Sequence, residues 1–467
     1  MPIMSLYDPH ITQEQSLRSS SRVLKYHLTS LGCPKNLVES EEMMAKLSLS
    51  GMVLVHDPEE ADLLVLNTCG FIGPAKEEGI AALLDLIQIR QNNPAQRLVV
   101  VGCMIQRYRQ EFQEEFPEVD AFIGVNDKES FLQVAWEALG RKPLNTIPSH
   151  PYAPRLLTTP PHMAYLRISD GCSHTCSFCA IPIMRGKLRS RPMEEILLEA
   201  KSLAAGGAKE LVVIAQDTTS YGRDLYGHAA IADLLTKMEP IQGLEWIRLM
   251  YVYPHLVDKR LAAVFASSRK LVSYLDIPIQ HGDPEMLEIM RRSSSDKHIR
   301  QAVDLIRAAR TDISLRTTVM VGFPSEKNRH FQNMLKLLEE IDFDRVGVFK
   351  YSREEGTPSA ELPDQISDRI KEKRCSALMD WAADRARAKN QRFVGEIMKV
   401  LIDAKAAEGG GYWGRYQGQA PEVDGQVFVC GGKAAVGEFA NVRITEADED
   451  NLYGHINADL KIYNDKP

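Results

Sequence analysis

The segment GCSHTCSFCAIP, residues 171–182, decides how this chain is interpreted. It holds three cysteines, Cys172, Cys176 and Cys179, on one loop directly after a predicted strand. A structural zinc site usually needs four closed ligands, and this stretch adds only His174, which lies inside the loop. Three thiolates suit a four-iron cluster that keeps one iron open for a reactant. The spacing therefore favours a catalytic iron–sulfur site over a zinc site.

A second cysteine triplet, Cys33, Cys69 and Cys103, lies upstream. Each of these cysteines ends an apolar run that predicts a buried strand, in VLKYHLTSLGC, ADLLVLNTCG and RLVVVGC. Consecutive cysteines are separated by about one strand–helix unit of a parallel sheet. We therefore expect all three at the carboxyl ends of their strands, the edge where doubly wound sheets gather ligands. Cys375 and Cys430 do not belong to a group of cysteines and are interpreted as structural.

The alternation of strand and helix patterns predicts an α/β protein with three domains. Residues 23–140 fit a doubly wound parallel sheet, preceded over 1–22 by a polar tail without the apolar core of a signal peptide. A proline-rich linker at 141–161 leads into a second α/β domain at 162–388. Its six predicted strands are too few for a closed barrel of eight and suggest an open, TIM-like partial barrel. Five short strands with glycine turns over 389–467 predict a small, OB-like β-barrel.

Composition excludes several classes of protein. The chain has 467 residues, 44% of them hydrophobic, and a net charge of -7, which argues against a broadly basic nucleic-acid binder. No apolar run reaches the roughly 18 residues that a membrane span needs, so we expect a cytoplasmic protein without membrane attachment. Thiols stay reduced in that compartment, and the eight cysteines therefore favour metal binding or catalysis over disulfides.

Residues just past the predicted barrel strands are candidates for holding a cofactor, because the carboxyl ends of such strands carry the chemistry, and a glycine pair that leads into one of these strands is a further candidate. An aromatic ring beside the last cysteine of the loop could support a flat ligand such as adenine, and glycines let a ligand approach the backbone. The candidates are Phe178, Gly206, Gly207, Gln216, Asp217, Gln280 and Gly322. Core packing of the ring, a helix-end turn at the glycine pair and a solvated loop after the strand are the alternatives.

The stretch MRGKLRSRP carries a basic residue at every second position, namely Arg185, Lys187, Arg189 and Arg191. In an extended chain these four side chains would project from one face. Such a face could bind a carboxylate, a phosphate or an acidic peptide. A solvated edge is the alternative interpretation.

These motifs resemble the methylthiotransferase family of radical S-adenosylmethionine enzymes over about residues 23–460. SLGCPKN, NTCGF and VGC are similar to its N-terminal domain, GCSHTCSFC to its radical motif, and RGKLRSRP, IAQDTTSYG, IPIQHGD, MRR, VGFP and YSREEGT to further segments. CPKNLVESE, YVYPH, DIPIQH and APEVDG are most similar to the branch that modifies a ribosomal protein. In one departure, Ser325, Glu326 and Lys327 replace the GET that usually follows VGFP, so the glycine of that turn is lost.

The resemblance implies two [4Fe-4S] clusters and S-adenosylmethionine as cofactors. The triplet of the 171–182 segment would hold the radical cluster, whose open iron binds S-adenosylmethionine, and the upstream triplet would hold an auxiliary cluster carrying the sulfur. The implied product is an aspartate of small-subunit ribosomal protein S-12 with methylthio on its β-carbon, formed on the free protein or on the assembled subunit. The resemblance also implies an electron donor such as flavodoxin or ferredoxin, a sulfur source, and a terminal TRAM domain.

Two other functions remain open from the sequence. The first is a tRNA adenosine methylthiotransferase, which uses the same chemistry. From residue 391 onward, however, eight Lys or Arg face twelve Asp or Glu, and such a charge would repel phosphates and attract a basic ribosomal protein. That acidity is concentrated at Glu446, Asp448, Glu449 and Asp450, which could also form a solvated loop. The second is a non-catalytic iron–sulfur protein that senses redox state or binds ribosomes.

Overall fold

The computed structural model of the protein describes residues 22–147, 150, 152–407 and 410–456. The polar tail predicted over 1–22 lies outside the described residues except for Arg22. The described helices are α1 (Pro34–Leu49), α2 (Gly73–Asn92), α3 (Cys103–Glu115), α4 (Phe131–Ala138), α5 (Ile181–Arg185), α6 (Met193–Ala205), α7 (Ile231–Met238), α8 (Lys259–Ser267), α9 (Pro284–Ile289), α10 (Asp296–Ala309), α11 (Asn328–Ile341) and α12 (Asp368–Gln391).

The strands fall into three groups that follow the three predicted domains. The N-terminal strands are β1 (Lys25–Ser30), β2 (Val53–Leu54), β3 (Leu63–Thr68), β4 (Arg97–Gly102) and β5 (Ala121–Gly124). The central strands are β6 (Met163–Arg167), β7 (Ser169–Asp170), β8 (Arg189–Ser190), β9 (Glu210–Ile214), β10 (Trp246–Leu249), β11 (Tyr274–Asp276), β12 (Ser314–Val321) and β13 (Arg345–Lys350). The C-terminal strands are β14 (Ile397–Lys405), β15 (Tyr412–Tyr416), β16 (Val427–Cys430), β17 (Phe439–Ala447) and β18 (Leu452–Ile456).

The N-terminal strands form a parallel sheet in the order β2-β1-β3-β4-β5. Every residue of β3 is buried, as expected for a central strand covered on both faces. Separate hydrophobic cores lie on the two faces, one of them around Trp136 and the other around Phe112. The prediction of a doubly wound sheet is confirmed. The sequence patterns missed β2 and β5, because two- and four-residue strands are too short to show a periodicity.

Six parallel strands, β6, β9, β10, β11, β12 and β13, form the central domain, as predicted. They pair in the orders β10-β9-β6 and β11-β12-β13, and a parallel bridge between Ile247 and Leu271 joins the two sets. The arc is therefore an open partial barrel, and its outer helices pack against it in one large apolar core. The long helix α12 lies along the edge strand β13.

The C-terminal strands close into a barrel in the order β14-β15-β16-β18-β17, which confirms the small β-barrel. Its loop APEVDG reaches into the N-terminal end of the central barrel. There Asp424 accepts a hydrogen bond from Tyr274 Oη at 2.7 Å and pairs with Arg316 at 3.4 Å, while Glu422 accepts one from Tyr165 Oη at 3.0 Å. The acidic residues of this loop therefore brace two domains against each other.

The N-terminal sheet covers the opposite end of the central barrel, where its strands terminate. On one side, Lys35 Nζ donates to the Ala215 carbonyl at 3.3 Å and lies 3.7 Å from the centre of the Tyr251 ring. On the other side, Arg107 pairs with Glu354 at 2.7 Å. The carboxyl edges of both sheets consequently face each other. Within the described residues, no helix is long and apolar enough to cross a membrane.

Candidate functional site: two cysteine triplets at facing strand ends

The upstream triplet meets at one edge of the N-terminal sheet. Cys33 immediately precedes α1, Cys69 follows β3, and Cys103 begins α3 directly after β4. Since β1, β3 and β4 are neighbours in the sheet, their carboxyl ends bring the three cysteines together. The chain is tight here: a Cβ on Gly32, whose φ is +95°, would lie 2.7 Å from Cys69 Cβ. All three cysteines therefore lie at the strand ends where the sequence predicts them.

Asn36 faces two of these thiols. Its Nδ2 donates to the Thr68 carbonyl at 3.1 Å, which turns its Oδ1 towards the sulfurs of Cys33 and Cys103, each 3.9 Å away. Arg185 Nη2 donates to the same Oδ1 at 2.7 Å. Asn36 thus connects the cysteine pair to a buried arginine from another domain, a contact that the sequence patterns did not reveal.

Arg185 links the two cysteine triplets. It ends α5, the short helix that follows the 171–182 loop, and only 2% of the residue is exposed. Its guanidinium donates to Glu39 at 2.9 and 3.0 Å and to Asp170 at 2.8 Å. Their negative charges hold the pKa of Arg185 above its ordinary value although burial acts in the opposite direction. A permanent positive charge therefore lies beside the upstream cysteines.

The prediction that four alternating basic residues share one face is wrong. Arg185 is helical and buried, and Arg191 pairs with Glu199 at 2.7 Å. Only Lys187 and Arg189 are exposed. Extended chain begins at β8, past the helix and the turn at Gly186, so the period of two does not apply to the whole stretch.

The second triplet lies on the loop between β7 and α5. Backbone bonds from Cys172 N–H to the Gly186 carbonyl and from Cys179 N–H to the Cys176 carbonyl, at 3.0 and 3.1 Å, shape this loop. Burial raises the pKa of Cys172 to about 11 and that of Cys179 to about 12. Without metal these two thiols are protonated at neutral pH, and metal binding would release their protons.

The spacing of the sulfurs argues against a single metal ion at either triplet. Three thiolates on one zinc at about 2.3 Å would lie about 3.8 Å apart. Among the described residues, the His, Cys, Asp and Glu side chains that bring three possible metal-ligand atoms within 4.8 Å of one another are Asp283, Glu285 and His330. His330 Nδ1 accepts the Lys327 N–H at 3.1 Å, so Nε2 carries the proton and faces Glu285. His330 is therefore neutral, and the ion-pair partner of Glu285 is Arg329 at 2.6 Å. Neither cysteine triplet brings its three sulfurs within 4.8 Å of one another, and such wider triplets fit iron–sulfur clusters.

Cys176 is contacted by Tyr253, which lies just past the end of β10, and by Arg292, which lies in the turn after α9. Tyr253 Oη and Arg292 Nη1 each lie 3.6 Å from Cys176 Sγ. The Arg292 guanidinium and the His174 ring are both 3.9 Å from the centre of the Tyr253 ring, so they occupy its two faces. His174 Nε2 in turn contacts Asp217 Oδ2 at 2.6 Å. The motifs YVYPH and MRR contain Tyr253 and Arg292, but nothing in their spacing indicated contact with a cysteine.

Two predicted cofactor residues carry buried polar atoms without a hydrogen-bond partner among the described residues. These atoms are both ends of the Gln216 amide and Oε1 of Gln280, and Arg292 Nε is in the same state. Gln280 also has a φ of +71°, an uncommon conformation for a residue other than glycine. Buried polar groups are nearly always paired. A ligand with several polar groups, such as S-adenosylmethionine, would therefore fit at this end of the barrel.

Three further candidates lie at the same end of the barrel, and their contacts are with other groups of the protein. Phe178 makes an edge contact with Phe323, the ring centres being 6.4 Å apart. The Asp217 carboxylate accepts hydrogen bonds from neighbouring hydroxyls and N–H groups besides its contact with His174. Gly322 has a φ of +76°, and its N–H donates to Glu326. Phe178 and Gly322 line this end of the barrel, and Asp217 orients His174.

Gly206 and Gly207 are not brought to this site, which corrects their assignment as cofactor-binding residues. They form the turn between α6 and β9, with a φ of +103° at Gly207. That turn precedes the strand and lies at the opposite end of the barrel from Gln216. Glycine is needed there for the positive φ of a helix-end turn.

The acidic cluster of Glu446, Asp448, Glu449 and Asp450 has two members with partners inside the protein. Asp448 accepts a hydrogen bond from Tyr453 Oη at 2.7 Å, and Glu449 pairs with Arg387 at 2.8 Å. The proposed acidic face consequently rests mainly on Glu446, which is exposed, and on Asp450.

Comparison with known proteins agrees with the three-domain fold. The sequence profile of the uncharacterized protein family UPF0004 matches residues 25–124, that of the radical SAM superfamily matches 166–338, and that of the TRAM domain matches 394–456. Among solved structures, the radical S-adenosylmethionine methyltransferase TsrM from Kitasatospora setae has a TM-score of 0.54 at 13% identity, covering 83% of this chain and 78% of TsrM. That likeness concerns the fold.

Curated relatives match nearly the whole chain. Ribosomal protein uS12 methylthiotransferase RimO from Geobacter sulfurreducens is 42% identical over 439 residues, which are 92% of this chain and 98% of the relative. RimO from Clostridioides difficile is 41% identical over 440 residues, 93% of this chain and 99% of the relative. The chain therefore belongs to the RimO family of radical S-adenosylmethionine methylthiotransferases.

Proposed function

We propose that this enzyme places a methylthio group on the β-carbon of an aspartate in ribosomal protein S-12, the protein called uS12 in the names of its relatives. The observation that carries the proposal is the approach of two cysteine triplets from facing strand ends. Arg185, which follows one triplet in sequence, bonds to Asn36 beside Cys33 and Cys103 of the other. Radical formation and sulfur delivery would thus take place at neighbouring sites.

In this proposal Cys172, Cys176 and Cys179 hold a [4Fe-4S] cluster, and Gln216 and Gln280 bind S-adenosylmethionine. When bound, the cluster and S-adenosylmethionine together supply one-electron chemistry. The reaction needs it because the substrate carbon has no acidic proton that a base could remove. The orphaned amide atoms of the two glutamines support the assignment. The protein's own task here is to hold the cofactor and to exclude water beneath the N-terminal sheet.

Cys33, Cys69 and Cys103 would hold the second [4Fe-4S] cluster, the one that carries the sulfur. Burial raises the pKa of Cys103 to about 12, and the adjacent Arg185 charge favours the deprotonated form that binds iron. The division of labour follows the domains at 23–140, 162–388 and 389–467, the last of which would contact the ribosomal substrate. A flavodoxin- or ferredoxin-type donor would supply electrons and a separate protein or sulfide the sulfur, all in the cytoplasm.

The substrate is tested by the intact mass of S-12 from cells with and without this gene, with tRNA nucleosides analysed from the same cells. We expect S-12 to lose the mass of one methylthio group on deletion and the nucleosides to stay unchanged. An unchanged S-12 together with loss of a methylthio nucleoside would refute S-12 as the substrate, while the proposed methylthio transfer would still stand.

The two cysteine sites are tested separately with purified protein. Cys176→Ala should abolish 5'-deoxyadenosine formation, whereas Cys69→Ala should retain some of it and lose the methylthio product. Cys375→Ala is the matched control, since this buried cysteine lies on α12 and should leave both products unchanged. Methylthio product from Cys69→Ala at the wild-type rate would contradict the sulfur-delivering role of the upstream triplet.

A further inference from the structure

Cys176 has two polar neighbours that the proposed reaction does not yet use, Tyr253 and Arg292, each 3.6 Å from its sulfur. We propose that they are positioning residues, which donate hydrogen bonds to the Cys176 thiolate and thereby raise the reduction potential of the cluster that it ligates. The inference rests on the proposed role of Cys176 as a cluster ligand.

The chemistry of the groups sets the direction of both bonds. A guanidinium has only donors, and a tyrosine hydroxyl can donate or accept. A metal-bound thiolate has no proton, so Cys176 can only accept, and both neighbours must donate to it. Hydrogen bonds to cluster sulfurs are one of the factors that set the potential of iron–sulfur clusters.

Among the described residues, no carboxylate directly contacts the positively charged Arg292 side chain. The guanidinium contacts Cys176 Sγ, the Pro278 carbonyl at 2.5 Å and the face of Tyr253, and its Nε is buried without a partner. A charge that is removed from water is costly unless a counter-charge lies nearby. The thiolate and its cluster supply that counter-charge. Reduction adds one more negative charge to the cluster, so Arg292 stabilises the reduced state more than the oxidised state.

Tyr253 is held rigidly enough to aim its hydroxyl. Its backbone N–H donates to Thr219 Oγ1 at 3.1 Å, and its ring lies between His174 and the Arg292 guanidinium. His174 is fixed in turn by Asp217. A preorganised donor needs no rearrangement when the charge of the cluster changes.

The test is an anaerobic redox titration of the full-length, cluster-loaded protein, following the electron paramagnetic resonance signal that S-adenosylmethionine perturbs. Tyr253→Phe keeps the ring stack and removes the hydroxyl, and Arg292→Met removes the charge. We expect both midpoint potentials to shift to more negative values, with the larger shift for Arg292→Met. Tyr221→Phe is the matched control, because this buried hydroxyl donates to the Arg191 carbonyl at 3.0 Å and should cause no shift.

Unchanged potentials in both variants, at wild-type iron content, would overturn the inference. If Arg292→Met fails to retain iron, the potential of Tyr253→Phe decides alone. Formation of 5'-deoxyadenosine by the wild type with excess dithionite separates this question from the proposed function. Normal formation with unshifted potentials refutes the tuning role only, whereas no formation by the loaded wild type refutes the radical site itself.

Discussion

Replacing Ser325 with glycine should stabilise the loop that follows β12. Ser325 has a φ of +66°, in the left-handed region where a Cβ costs about 1–2 kcal/mol. Its N–H donates to the Asp364 carbonyl at 3.0 Å, a backbone bond that is available to any residue at this position. Glycine removes the Cβ strain and loses about 0.5–1 kcal/mol through its larger chain entropy. The expected net gain is about 0.5–1 kcal/mol.

The gain can be measured by amide hydrogen exchange in peptides that cover residues 322–330. A change of that size in the free energy of local opening should slow exchange about two- to fivefold. Ser325→Ala is the matched control, because it removes the hydroxyl and keeps the Cβ, and it should exchange like the wild type. Exchange in Ser325→Gly that is as fast as in the wild type, or equal protection in the alanine variant, would refute the strain argument.

Three further predictions concern the site and its surroundings. Arg185→Met removes the guanidinium that donates to Asn36 Oδ1 and to Asp170, and we expect iron content to fall from two clusters towards one, measured by iron analysis. Gln216→Ala removes about two ligand bonds of about 1 kcal/mol each, so the Kd for S-adenosylmethionine should rise by about tenfold or more in a binding titration. Burial lowers the pKa of His281 to about 3 against the opposing charge of Asp283. The unfolded state binds a proton at His281 below about pH 6.5, whereas the folded state binds it only near pH 3. The free energy of unfolding therefore falls as the pH drops from about 6.5 to about 3. His281→Gln should reduce that loss at pH 4 by about 3 kcal/mol in denaturant titrations.

Much of the fold follows from local patterns. The six barrel strands and the five strands of the last domain are readable because each is an apolar or alternating run bounded by turns, and such runs depend on neighbours in the chain. The strands β2 and β5 are short edge strands that exist because β1 and β4 offer them hydrogen bonds. Gly206 and Gly207 were misassigned because glycine beside a strand was taken to let a ligand approach, although the pair precedes β9 and so lies at the opposite end of the barrel from Gln216.

The sequence by itself determined the six cysteine positions, their placement after strands and the family, because spacing along the chain is retained when the chain folds. It also pointed to Gln216 and Gln280. Only the tertiary structure decided that Asn36 and Arg185 join the two triplets and that Tyr253 and Arg292 surround Cys176. The physical reason is that these contacts connect residues far apart in the chain. Asn36 meets Arg185 only when the carboxyl ends of the two sheets are packed face to face, and Tyr253 and Arg292 reach Cys176 only when the strands of the central barrel lie side by side.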